Sequence, residues 1–325
     1  MIVDIRTIAR ARITIEEAVR LHLYDPNVSM IGLGFKVVAG ELREDRLAIR
    51  FHVARKLTPF QLESARAVEG IAPTRPIPGR IGNFETDVIQ SRYSPHWWAW
   101  SDRRGPRANR QAVMRGGVSI SSERQNGRGT LGGLVADRVT GERMILSNWH
   151  VLAGDWGARI GQRIFQPGRM DGGTGRDTVA RLARDAMPFN LDAAVARLTG
   201  DRPLINEQLG AGPVTGAGMA YLGQELVKSG CYSEITFGRV TEVESILRMR
   251  YSGLDRMIRK VMVIEPRSPA EQVSGGGDSG SWWLDMNSRR AVGLHFAGSD
   301  LPERALAMEM PPILDALRVE IVAGA

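Results

Sequence analysis

Apolar and polar positions alternate in two runs near the amino terminus, SMIGLGFKVVAG and RLAIRFHVARK, and this period of two predicts a pair of strands. Ahead of them, Thr14 followed three residues later by Glu17 makes a capping box before EEAVRLHL and predicts a short helix starting there. Thr58, with Pro59 at the first helical position, opens a second predicted helix, PFQLESARAVEG, and FETDVIQ reads as a further strand. Together these elements predict a small α+β module over residues 1–93. GLGFKVVAG has part of the glycine spacing of a dinucleotide loop, but the third glycine and the helix that should follow are missing, so no dinucleotide site is expected.

Residues 94–114, SPHWWAWSDRRGPRANRQAVM, are polar, basic and aromatic and read as a linker, or as an arm packed on the next domain through Trp97, Trp98 and Trp100. From about residue 115 the texture changes to short β-type runs between Gly-rich turns, among them GTLGGLVAD, ERMILSNWHVLAG, LDAAVARLTG, ITFGRVTEVES, VMVIEP and RAVGLHFAG. Many short strands at such spacing predict closed β architecture. A break near GDRPLINEQLGAGPVTGAG suits two barrels in tandem, about 115–205 and 206–325, and PPILDALRVEIV, with proline at its start and apolar positions at helical spacing, predicts a closing helix.

The 325 residues, 43% of them hydrophobic, are enough for one large or two modest cores. No apolar run is long enough to cross a bilayer, and MIVDIRTIARARIT carries charge where a secretory signal is apolar, so the reading is a cytoplasmic protein with no membrane partner. A single cysteine, Cys231, agrees and reads as a small core or loop residue. The net charge of +7 raises nucleic acid as a partner, but only Lys36, Lys56, Lys228 and Lys260 are lysines and the arginines are spread along the chain, which argues against it. The one dense patch, Arg103, Arg104, Arg107, Arg110 and Arg115, reads as a solvated linker, with an anion-binding or partner-docking strip as the alternative. His22, His52, His96 and His295 lack metal-ligand spacing, and RMDGGTGRD has too few acids for a calcium loop and reads as a surface turn, so no metal or other cofactor is expected.

Candidate chemistry enters with SGGGDSGSWWLD, residues 274 to 285. A serine hydroxyl needs a base to take its proton and a third group to fix the base's tautomer. His150 stands where a predicted strand breaks into a small-residue turn, and Asp192 stands at the start of the apolar run in NLDAAVARL; Asp185, Asp171 and Asp177 are rival carboxylates. Glycines before Ser279 permit backbone angles that would turn the N–H groups of Gly277 and Ser279 toward one point, an oxyanion hole.

The order His150, Asp192, Ser279, with Gly277-Asp278-Ser279-Gly280, resembles the chymotrypsin/trypsin family over roughly residues 115–325. RGGVSI, GTLGGLVAD, LSNWHVLAG, FQPGRMDGG, LDAAVARL, VKSG before ITFGRV, and VGLHFAG make it more specifically similar to bacterial intracellular trypsin-like proteins with plant relatives of the narrow-leaf type; IGLGFKV, AIRFHVARK and TDVI resemble the leader module of such proteins. The chain departs from that pattern at Cys231, Tyr232 and Ser233 and at AMEMPP.

The resemblance implies a mainly β fold of two six-stranded antiparallel β-barrels behind the α+β module, and a serine endopeptidase with His150, Asp192 and Ser279 as its catalytic residues. It implies a substrate pocket floored by Val273 and walled by Phe296, Ala297 and Gly298. An apolar floor predicts small or medium apolar residues on the acyl side of the cut bond, unless Asp300 or Glu303 reaches the pocket. In secreted relatives the aspartate before the serine pairs with a newly cut amino terminus. Here Asp278 follows three glycines, so a loop ordered by substrate or by a regulatory partner protein is one expectation; a cut after Arg115 is the other, though VMR before GGVSI reads rather as a plain linker-to-strand junction. The implied partners are a protein or peptide substrate and, compatibly with the family, further copies of the chain. The alternative reading is a catalytically latent binding or scaffold protein using the basic linker.

Overall fold

A computed structural model describes residues 3–66, 74–95, 105–300 and 302–324. The first helix, Ile5–His22, begins ten residues before the predicted start. Asp4 caps it by accepting from the backbone N–H groups of Arg6 and Thr7, while Thr14 sits inside and donates its hydroxyl back to the Arg10 carbonyl at 3.1 Å. The capping-box reading failed because an aspartate farther upstream supplies the stronger cap. Ala11, Ile15, Ala18, Val19 and His22 then recur at helical spacing on the buried face. The second helix is Pro59–Arg66, with reciprocal bonds between Thr58 and Gln61 at its start; the last four residues of its predicted span lie outside the described residues.

The two amino-terminal strands are Val28–Val38 and Glu41–Val53, paired antiparallel, and Phe84–Gln90 runs parallel to the second of them. A parallel neighbour needs a crossover, which passes through the Pro59–Arg66 helix. The Val28–Val38 strand also pairs antiparallel with Glu234–Tyr251, Met30 facing Leu247, so one continuous sheet runs from the amino-terminal strands into the carboxy-terminal half. A Cβ on Gly32 would lie 1.9 Å from the Ser245 hydroxyl, so the glycine in GLGF lets two strands approach and holds no phosphate.

The fold is mainly β. In the carboxy-terminal half, Glu225–Gly230 pairs with Trp282–Asp285, that with Ala291–Asp300, then Glu303–Glu309, Leu254–Glu265 and Glu234–Tyr251, which returns to Glu225–Gly230. All six pairings are antiparallel and the ring closes, although Ala291–Asp300 outruns its Trp282–Asp285 neighbour beyond Leu294. The other sheet orders Gly133–Asp137, Arg143–Ser147, Ala194–Leu198, Thr178–Asp185, Arg163–Phe165 and Ser119–Ser122. Its two ends are drawn together by bonds from Gly117 N to Leu131 O and from Leu131 N to Val118 O, each 2.9 Å. Ile120, Leu134, Ile145, Ile164, Leu182 and Ala196, which the register places on one face, fill it.

At the predicted break, Leu204–Gln208 forms a small sheet with Gly212–Pro213 and, in parallel, with Met114–Gly116. The closing helix is Met310–Leu317, after which Val319–Ile321 pairs with Gly133–Asp137 and ties the carboxy-terminal segment to the first barrel. No helix among the described residues is long and apolar enough to cross a membrane.

At Arg107 the linker departs from the solvated reading, while Arg110 stays largely exposed. Arg107 donates to the Ser229 hydroxyl at 2.6 Å and to the Gly230 and Leu209 carbonyls at 2.9 Å, so its charge is spent holding the chain against the second barrel. Arg110 faces Asp177 at 3.3 Å and Arg115, inside a strand, pairs with Glu207 at 2.8 Å. Trp97, Trp98, Trp100, Arg103, Arg104 and His96 lie outside the described residues.

Candidate active site

Strand register brings the first two candidate residues together. Ser147, at the end of its strand, faces Ala194, at the start of the next, so a residue three past the first and one two before the second share a rim. There the chain turns through Trp149–Leu152, which carries His150, and the preceding Asn148 donates its amide to the Asp192 carbonyl at 2.7 Å. His150 Nδ1 lies 2.6 Å from Asp192 Oδ2, and the His150 backbone N–H donates to Asp192 Oδ1 at 3.1 Å. Both residues are fully buried. An ionised carboxylate only accepts, so the imidazole proton on this side belongs to Nδ1, which leaves Nε2 as the basic nitrogen of a neutral ring.

A residue that the sequence did not single out completes this arrangement. Tyr251, at the tip of the hairpin formed by Glu234–Tyr251 and Leu254–Glu265, donates its hydroxyl to Asp192 Oδ2 at 3.0 Å. Burial, and then the Asp192 charge, push the phenol above its usual range, so it stays a donor. Trp156 Nε1 donates to the Tyr251 carbonyl at 3.0 Å, and Arg256 stacks over the Trp156 ring at 4.5 Å, which fixes the hairpin tip to the first barrel. The signal for Tyr251 was a lone aromatic beside Ser-Gly at a hairpin turn, too common to be read.

The rival carboxylates are engaged elsewhere. Asp171 faces Arg128 at 3.3 Å, Asp177 caps its own helical turn through Thr174, and Asp185 accepts from the Met187 N–H with its carboxyl raised by burial. Among the described residues no group of three metal-ligating side chains forms.

Ser279 is fully buried and its hydroxyl donates to the Phe296 carbonyl at 3.2 Å. Its own carbonyl accepts from Thr130 N at 2.7 Å, and the Thr130 hydroxyl donates to the Gly277 carbonyl at 2.9 Å, so the serine loop is bonded to the first barrel. Gly277 has φ of 108°, a region that side chains rarely enter.

Asp278 finds its partners within the chain itself. Its buried carboxylate receives Lys228 Nζ at 2.8 Å, the Gly275 and Ser233 N–H groups at 3.0 Å, the Tyr232 N–H at 3.1 Å, and the Ser233 hydroxyl. These charges and bonds hold it well below the usual carboxylate range despite complete burial, while burial lowers the Lys228 ammonium. The glycines suggested mobility; the signal missed was a lysine inside the apolar strand ELVKSG. Cys231, beside this loop, is buried and its thiol is pushed up to about 12 by that burial, as suits a packed core residue.

Val273, Phe296, Ala297 and Gly298 are all buried. Glu303, expected with Asp300 as a pocket candidate, accepts from the Val273 and Ser274 N–H groups at 2.9 and 3.2 Å and so braces the segment that carries Val273. Beside the histidine turn a cavity of about 600 Å³ is lined by Trp149, Trp156, Asp185, Met187, Asn190 and Arg256.

No family model and no curated protein sequence matches the chain. Solved structures similar to it include Thermobifida fusca protease A, at 19% identity and a TM-score of 0.48 over 65% of this chain and 100% of that one. A Nocardiopsis protease shares 17% at 0.48 over 65% and 100%, and a Cellulomonas bogoriensis chymotrypsin shares 19% at 0.46 over 65% and 98%.

Proposed function

We propose that the chain is a serine endopeptidase, with Ser279 as nucleophile, His150 as general base and then acid, and Asp192 as the group that orients the imidazole. The observation that carries this reading is the buried 2.6 Å contact between His150 Nδ1 and Asp192 Oδ2, because it fixes the tautomer in which Nε2 can accept a proton. Ser279 Oγ gives its proton to His150 Nε2, leaving the Phe296 carbonyl, and attacks the scissile carbonyl carbon. The Gly277 and Ser279 N–H groups take the resulting oxyanion, each such donor being worth about 3 kcal/mol. His150 then protonates the departing amine, and water, deprotonated by the same nitrogen, hydrolyses the acyl-enzyme.

Lys228 satisfies Asp278 within the uncut chain, so the serine loop stays folded without a newly formed amino terminus. Val273 at the pocket floor brings no counter-charge, so the substrates are peptides with small or medium apolar residues at the acyl position, within a chosen protein of the cytoplasm. The alternative of a latent scaffold reading nucleic acid through its basic linker loses support from the internal partners of Arg107, Arg110 and Arg115.

Ser279→Ala tests the assignment: a fluorophosphonate probe should label the native chain and not the variant, with equal far- and near-ultraviolet circular dichroism. Equal labelling of the two overturns the role of Ser279. A labelled native chain that cleaves no apolar peptide overturns the substrate class.

A further inference from the structure

Extended peptides dock on proteins by adding a strand to an open edge, and an edge that is already paired cannot accept one. Ala297 and Gly298, which the serine protease resemblance places in the wall of the substrate pocket, form a strand edge that is paired here by the chain itself. Ser94–Pro95 lies antiparallel to it, Ser94 opposite Gly298 and Pro95 opposite Ala297. The register runs toward the nucleophile, since the next residue along the edge strand is Phe296, whose carbonyl holds the Ser279 hydroxyl at 3.2 Å. This is the direction in which the acyl side of a substrate would approach.

The segment is anchored rather than draped. Ser91 is buried, its N–H donates to the Val53 carbonyl at 3.0 Å, and its hydroxyl accepts from Arg304 Nη1 at 2.7 Å. Two residues on, the Tyr93 hydroxyl lies 2.8 Å from His52 Nδ1, and His52 Nε2 lies 2.8 Å from Glu242 Oε2. One buried anchor, Ser91, and one half-buried anchor, Tyr93, in the four residues before Pro95 fix where the backbone meets the edge strand. A connection that only had to span two domains would need neither.

We propose that Ser94–Pro95 is a built-in occupant of the peptide-docking edge, which the amino-terminal module delivers and which an extended substrate must displace. The inference rests on the serine endopeptidase reading for the identity of the edge. Displacement breaks no covalent bond, and a small reagent that makes no pairing with the edge serves as the control.

Ser94→Pro removes the N–H at an exposed position and so weakens the pairing without touching the core. Native and Ser94→Pro chains, full length, are treated in parallel with a small fluorophosphonate and with a tripeptidyl phosphonate ester bearing an apolar acyl residue. The expected result is a gain of about tenfold in the rate with the tripeptidyl reagent and little change with the small one. Equal tripeptidyl rates in the two chains overturn the proposal. No reaction of either chain with either reagent overturns the endopeptidase reading instead, and amide exchange at residues 297–299 then decides the occupancy: faster exchange in Ser94→Pro supports the pairing in solution, and identical exchange overturns it.

Discussion

Among the buried charge clusters of the described residues, two differ most plainly in what surrounds them. Beside the serine loop, Lys228 and Asp278 form a compact pair whose carboxylate is wrapped by three backbone N–H groups and a hydroxyl. At the junction of the amino-terminal strands with the second barrel, Glu242 is shared by His52 at 2.8 Å, Arg50 at 3.4 Å and Ser245 at 2.7 Å, and the network runs on through Tyr93, Glu265 and Arg304. The first cluster is bonded largely to backbone and fixes one loop; the second is bonded side chain to side chain and joins separate parts of the chain. Burial makes either costly to break, but only the first sits beside the proposed nucleophile.

Lys228→Met should give the largest effect. It strands a buried carboxylate, so guanidinium unfolding should show a loss of about 3 to 5 kcal/mol, and fluorophosphonate labelling should fall with it. Adding Asp278→Asn should recover much of the stability, because an amide oxygen still accepts from the loop N–H groups. Recovery of stability without any recovery of labelling would sharpen the comparison by showing that the charge itself sets the loop.

Glu242→Gln should cost about 3 kcal/mol, since Arg50 then keeps the Thr241 carbonyl at 3.3 Å and, of carboxylates, only Glu265 at 3.9 Å, yet labelling by the small probe should persist. Equal loss of labelling in the two variants would erase the distinction between the clusters.

The smallest effect concerns pH at a third carboxyl, Glu309, which is pushed up to about 7, first by burial and then by Glu244, against the opposing charges of Lys260 and Arg12. Between its ordinary value of 4.5 and 7, the folded chain keeps a proton that the unfolded chain has lost. Stability from this group is therefore complete below 4.5 and falls as pH rises through 7. Glu309→Gln should remove that slope, gaining on the order of 2 kcal/mol over the native chain at pH 8 relative to pH 5 in urea unfolding. His52, lowered by burial, slopes the other way, its contribution being present above its usual value of 6.5 and lost as pH falls.

Much of this architecture was legible because local signals and packing agreed. FETDVIQ is a strand over Phe84–Gln90, and Thr58 with Pro59 starts a helix, since caps and alternation act within a few residues. His150 and Asp192 could be picked out because each stands where an apolar strand meets a turn, and the structure brings them within bonding distance. Asp4, Lys228, Tyr251 and Ser94–Pro95 were not legible. Asp4 lay outside the apolar pattern that suggested the helix start, and the other three act on partners tens of residues away, which no local periodicity reports. Arg107 was misread for the same reason: composition shows a charge but not the carbonyls that absorb it.

The pairing of Val28–Val38 with Glu234–Tyr251 joins positions roughly two hundred residues apart, as contact order counts such separations. During synthesis the earlier strand leaves the ribosome long before its partner exists, so one side of it waits with unmatched amide and carbonyl groups. Assembly of this border is therefore slow relative to the local hairpins, and the waiting interval is when a nascent chain is most exposed to wrong partners and most in need of a chaperone.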